Sequence, residues 1–137
     1  MSAKINVETT ISASTKKVWD FWTNTDHITK WNFASDDWHC PRAENDLKRG
    51  GKLKSRMEAK DGSVGFDFEA IYDEVIDQKK ISYTMLDNRQ ATTIFEQVGD
   101  KTKVTTTFDP ENQNPVDMQK NGWQAILNNF KTYVESN

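Results

Sequence analysis

Between residues 52 and 108 the chain alternates apolar and polar residues in short runs broken by turn signals, and this pattern constrains the fold more than any other feature. In residues 52–60, Leu53, Ser55, Met57 and Ala59 fall on one side, and Lys52, Lys54, Arg56 and Glu58 on the other. Asp61-Gly62 is a hairpin-type turn. Phe66, Phe68, Ala70 and Tyr72 then alternate with Asp67, Glu69, Ile71 and Asp73. In residues 80–86, Ile81, Tyr83 and Met85 share a face, and Asp87-Asn88 turns the chain. Residues 92–98 are rich in β-formers, with apolar Ile94 and Phe95 of opposite parity. After Gly99-Asp100, Val104, Thr106 and Phe108 alternate with Lys103, Thr105 and Thr107. Side chains on a strand point alternately to opposite faces, so each run reads as a half-buried strand. Strands joined by tight turns pair antiparallel. Such a meander has one apolar face, and that face needs a cover.

The C-terminal segment supplies it. Asn114-Pro115 reads as an N-cap followed by proline at the first helical position, where the missing amide costs nothing. Val116, Trp123, Leu127, Phe130 and Val134 then recur at helical spacing, widened by Ile126 and Tyr133. Ahead of the meander, residues 4–11 read as a strand with Ile5, Val7 and Thr9 on one side. Ser12-Ala13-Ser14-Thr15 and Asn24-Thr25-Asp26 offer caps for two short helices, one carrying Val18, Trp19, Phe21 and Trp22, the next Ile28 and Trp31. Residues 36–42 read as irregular, with at most one short strand, and Gly50-Gly51 as a turn or bulge. No repeat or linker interrupts the chain, so residues 1–137 are expected to form a single domain. The expected fold is α+β: a curved antiparallel sheet of about six or seven strands wrapped around a long C-terminal helix, with two short helices after the first strand.

Composition narrows the function classes. The 18 Lys+Arg against 21 Asp+Glu give a net charge of −3, which argues against a general nucleic-acid binder. The single Cys excludes an intrachain disulfide and a multi-thiolate metal site. No apolar run reaches the ~18 residues of a membrane span, and the N-terminus has no apolar signal core, so a cytoplasmic location is expected. Seven Phe, five Trp and three Tyr supply much of the bulk for a core.

Several stretches, taken in order, resemble a known family. Thr15-Lys16-Lys17-Val18-Trp19, Thr23-Asn24-Thr25 and Trp31 look like its first two helices and the tryptophan that follows. Asn45-Asp46-Leu47-Lys48-Arg49-Gly50-Gly51-Lys52-Leu53 looks like its D-[LV]-[RK]-x-G-G-x-[FLW] stretch. Asp61-Gly62 with residues 68–75 and Phe95-Glu96 with Thr102-Lys103-Val104-Thr105 resemble two of its hairpins, and Asn121-Gly122-Trp123-Gln124 with Leu127 and Phe130 its last helix. These are the helix-grip domains of the START/polyketide-cyclase-like superfamily, and within it the domains similar to the activator of heat shock protein 90 ATPase. Members often carry a proline shortly after the tryptophan. Trp31-Asn32-Phe33-Ala34 has none, so that loop is expected to differ. The superfamily includes lipid carriers, hydrophobic-ligand sensors, cyclases and co-chaperone domains, so the resemblance implies a fold more than an activity.

No catalytic constellation is recognisable. His39 and Cys40 are adjacent, and on a strand they would point to opposite faces. His27, His39, Asp36 and Asp37 lack any recognised metal-ligand spacing, so neither a metal nor another cofactor is expected. Gly50-Gly51 lacks the Lys-Ser/Thr and helix of a phosphate cradle. Tyr72, Tyr83 and Thr106 lie on the apolar parity and carry hydroxyls, which need partners or could serve a ligand. Gly122, inside the helix beside Trp123, reads first as a site of close helix–sheet packing and second as a thinning of the helix beside a ligand.

The leading expectation is a small binding protein that encloses a lipid or aromatic compound between the sheet and the C-terminal helix. The candidate binding residues are Trp31, Phe33, Met57, Phe68, Tyr72, Tyr83, Phe95, Trp123 and Leu127. Two alternatives stand beside it. One is a cyclase- or hydrolase-like enzyme using Tyr72 or Tyr83. The other is an interaction module, homodimeric or chaperone-associated, using a basic stripe of Lys52, Lys54, Arg56, Lys101 and Lys103.

Overall fold

A computed structural model describes residues 4–137. The elements run β1 (Ile5–Ile11), α1 (Thr15–Thr23), α2 (Thr25–Trp31), β2 (Trp38–Asn45), β3 (Lys52–Ala59), β4 (Gly65–Ile76), β5 (Lys80–Met85), β6 (Gln90–Val98), β7 (Lys101–Phe108) and α3 (Val116–Ser136). The strands form one seven-stranded antiparallel sheet in the order β1-β7-β6-β5-β4-β3-β2. The meander is thus continuous from β2 to β7, and β1 closes on β7. The curled sheet, the long terminal helix and the two short helices are the helix-grip arrangement read from the sequence.

Local chemistry sets the boundaries. Ser14 caps α1 by accepting from the Lys17 amide at 3.2 Å, and Asn24 caps α2 by accepting from Asp26 at 2.9 Å. Asn88, Gly62 and Gly99 take positive φ in three of the hairpin turns.

Two readings need correction, and one strand departs from strict alternation. Residues 36–42, expected to be irregular, belong largely to β2, an eight-residue strand whose register shifts between His39 and Arg42. That bulge breaks the alternation that would have marked the strand. In β4 a second shift between Tyr72 and Glu74 brings Val75 onto the core side, although strict alternation from Tyr72 would place it outside. Asn114 does not cap α3. Pro115 stands at the cap position without a side-chain bond, and the Asn114 amide donates to the Glu111 carboxylate instead. Val116 is accordingly exposed, while Leu127, Phe130 and Val134 are buried.

The placement of α3 decides where free space remains. The helix packs chiefly on β1. Gln124 accepts from the Glu8 amide at 3.3 Å and donates to the Glu8 carbonyl at 3.0 Å, so its side chain acts as a short extra strand on the sheet edge. Glu135 accepts from the Ser12 amide at 2.8 Å. With α3 fastened near β1, the concave face at β3–β5 is only partly covered. At one end, Trp22 and Trp31 stack at 5.0 Å and both meet Phe130 edge-on, at 4.9 and 4.7 Å.

Candidate functional site

A cavity of about 520 Å³ lies between the concave face and α3. That volume is in the range of small-molecule sites, ~300–1,000 Å³. β3 contributes Leu53, Ser55 and Met57, β4 Phe66, Phe68 and Tyr72, and β5 Ile81 and Tyr83. Trp22, Ile28 and Trp31 close the short-helix end, and Gly122, Trp123, Ile126 and Leu127 form the α3 wall.

Seven of the nine candidate residues line this cavity: Trp31, Met57, Phe68, Tyr72, Tyr83, Trp123 and Leu127. Phe33 and Phe95 do not. Phe95 shares the inward face, but Trp19 and Trp22 cover it at ring distances of 5.2 and 5.7 Å, so it is core. Phe33 follows α2 and is half-buried outside the cavity. Trp123 stacks flat on Phe108, with centroids 3.9 Å apart and planes within 10°, which fixes the orientation of this wall.

The inward hydroxyls resolve differently. Thr93 and Thr106, opposite each other in the β6–β7 register, hydrogen-bond at 2.8 Å. Tyr72 donates to Asn45 Oδ1 at 2.6 Å, and Asn45 Nδ2 donates to the Thr23 carbonyl at 2.7 Å, so this hydroxyl is tied to α1 through β2. Tyr83 pairs across the sheet with Tyr72, its ring edge-on at 6.3 Å, but its own hydroxyl has no hydrogen-bonding partner among the described residues. Burial raises the pKa of both phenols well above the ordinary value. Both therefore stay protonated at neutral pH and serve as hydrogen-bonding groups, not as bases.

Polar residues at the α3 end of the cavity were not legible in the sequence. Gln119 is buried, accepting from the Glu111 amide at 2.8 Å and donating to the Asn114 and Glu111 carbonyls at 2.8 and 3.1 Å. It holds the 109–115 loop against the cavity. Glu111, Asn114 and Arg89 also line the space. Arg89 had a signal available: it continues the inward parity of Ala91, Thr93 and Phe95 one step beyond the strand.

Gly122 faces this space too, and the close-packing explanation for it fails: a Cβ there would meet nothing within 4 Å. Gly122→Ala should therefore raise stability by about 1 kcal/mol, the helix-propensity difference, without a clash. A thermal midpoint lower than that of the native chain would contradict this geometry.

The other chemistry candidates are engaged elsewhere. His27 Nδ1 lies 2.7 Å from the Tyr133 hydroxyl and its ring stacks on Phe21, while His39 Nε2 is 3.6 Å from Glu58. Cys40 is buried, and burial raises its pKa, which keeps it a thiol. The basic stripe is interleaved with carboxylates: Lys52 with Glu69, Arg56 with Glu58 and Asp67, Lys103 with Glu8. It presents a mixed surface and not a uniform positive one. No helix among the described residues is long and apolar enough to cross a membrane.

The sequence profile described as activator of Hsp90 ATPase homolog 1-like protein matches residues 12–135. The chain belongs to this family. Among solved structures, an AHSA1-like protein from Aeromonas hydrophila is 40% identical, with 98% of this chain and 93% of that one covered at a TM-score of 0.92. A protein from Cytophaga hutchinsonii is 49% identical over 97% and 92% of the two chains, at 0.85. The Aha1 dimer from Colwellia psychrerythraea, 18% identical over 98% and 97%, shares the fold at 0.75. No curated protein matches the chain.

Proposed function

We propose that this activator-of-Hsp90-ATPase-like domain is a small binding protein that encloses a hydrophobic ligand, a lipid or an aromatic compound, between the sheet and α3. The observation that carries the reading is the cavity of about 520 Å³, whose walls are largely aromatic and aliphatic side chains from four strands and three helices. A core of this size would ordinarily fill such a space, because interiors pack to crystal-like density. Here α3 is anchored to β1, and it covers the apolar face of β3–β5 only in part.

The test is native mass spectrometry after gentle purification, joined to a thermal-shift panel of lipids and aromatic compounds. An adduct, or a raised midpoint with an apolar compound, is expected. No adduct and no shift with any member of the panel would end the proposal. Trp22, Trp31 and Trp123 all line the space, so binding should also alter tryptophan emission. Trp123→Ala removes the wall that stacks on Phe108 and should weaken the affinity for a compound found in the panel by about tenfold, the scale of a lost aromatic contact. Unchanged affinity in a folded Trp123→Ala chain would place the ligand elsewhere.

A further inference from the structure

The hydrogen-bonding groups of the cavity are unevenly placed. Most are satisfied within the protein: Tyr72 by Asn45, Thr93 by Thr106, Gln119 by the 109–115 loop. Glu111, the one carboxylate among the lining residues, accepts from the Asn114 amide. The Trp22 and Trp123 indole N–H groups and the Asn32 side-chain amide make no hydrogen bond among the described residues, and at the β5–β6 hairpin end two further groups keep free donors. The Tyr83 hydroxyl has no partner among the described residues. Arg89 binds Asp87 Oδ2 through Nε alone, at 2.7 Å, and its two terminal nitrogens make no hydrogen bond among the described residues.

Strand parity brings these two together. Arg89 precedes β6 and shares the inward parity of Ala91, and Ala91 pairs directly with Tyr83. The Met85 amide donates to the Arg89 carbonyl at 2.8 Å, which fixes the residue at the β5–β6 hairpin. The Arg89 side chain is about a quarter exposed, so the charge stands where the cavity meets solvent. The cavity thus has an aromatic and aliphatic body and, at the hairpin end, a guanidinium and a free phenol on the same inward parity. A guanidinium presents parallel donors that match a carboxylate, and a protonated phenol adds one more.

We infer that the occupant is a carboxylate with an apolar body, its head held by Arg89 and the Tyr83 hydroxyl and its body lying among Met57, Phe68, Trp123 and Leu127. This deepens the binding reading above and rests on it. The head stays at the mouth, where water completes its solvation, so a buried unpaired charge is avoided.

The test compares dodecanoate with 1-dodecanol, which share a chain and differ in the head, each titrated against tryptophan emission below its aggregation threshold. The native chain should bind dodecanoate about tenfold more tightly, the scale of one charge-assisted hydrogen bond. Arg89→Gln should bring the two affinities within about threefold of each other, and Tyr83→Phe should narrow the gap by a smaller factor. The ratio is internal to each variant, so a general loss of stability does not imitate the effect. Equal affinities in the native chain, or full discrimination retained by Arg89→Gln, overturn the head assignment and leave the cavity reading standing. If neither compound binds and the wider apolar panel also fails, both fall.

Discussion

Phe130→Ala should destabilise the domain by about 3–5 kcal/mol, the range measured when a large aromatic core side chain is truncated. The side chain is fully buried. It meets Trp22 and Trp31 edge-on and so joins α3 to both short helices. Those tryptophans are held at their far sides, Trp31 by the bond from its Nε1 to the Phe21 carbonyl at 2.9 Å and Trp22 by Phe95. They cannot follow the shortened side chain without giving up those contacts, so the space left behind is not refilled. Because Trp22 and Trp31 also line the cavity, the proposed binding function predicts that the variant loses affinity for an apolar compound as well as stability. Urea denaturation followed by tryptophan emission measures the first quantity. A loss below about 1 kcal/mol would mean that the cluster relaxes freely, and the account of that end of the cavity would be wrong.

A second large effect is expected at a residue with no side chain. A Cβ added to Gly51 would stand 2.0 Å from the Asp46 carbonyl oxygen, with the Lys48 oxygen 3.0 Å away. Both are backbone atoms, fixed by the bonds of the loop itself: Gly51 donates to the Lys48 carbonyl at 2.8 Å and Lys48 to the Asp46 carbonyl at 2.8 Å. The same loop is bonded to β4, with the Tyr72 amide donating to the Gly51 carbonyl at 3.0 Å and the Gly50 amide to the Tyr72 carbonyl at 2.8 Å. Gly51→Ala should therefore cost about 3 kcal/mol or more, because backbone must move and no rotamer change relieves the contact. It should also disturb the Tyr72–Asn45 bond just ahead of the loop. The neighbouring Gly50 is the control. Its φ of +82° favours glycine, but its Cβ direction is open. Gly50→Asn should cost no more than about 1 kcal/mol, since asparagine tolerates the left-handed region. Equal costs at the two positions would show that the conformation of the loop, and not the close approach at Gly51, is what matters.

Local rules made most of the architecture readable. The alternation in β3, β5 and β7, the Asp-Gly, Asp-Asn and Gly-Asp turns and the hydroxyl and amide caps each act over a few residues. They gave the hairpins, the helices and the face each strand would bury. The readings that failed did so where a contact distant in sequence overrides a local preference. The bulge in β2 hid a strand, the bulge in β4 reversed the parity of Val75, and Asn114 gave up the cap to bond Glu111. Phe95 could not be separated from the lining residues by parity, because its burial comes from Trp19 and Trp22 on α1.

What the chain wrote into its own order was an apolar sheet face and an apolar helix ridge that had to meet, since neither can remain in water. What it left open was how closely they meet. The lateral position of α3 is set by Gln124 on the Glu8 backbone and Glu135 on the Ser12 amide, contacts spanning more than a hundred residues that no local pattern announces. That offset toward β1, a property of the assembled molecule, separates a cavity from a filled core, and it places Gly122, Tyr83 and Arg89 on the lining of that cavity.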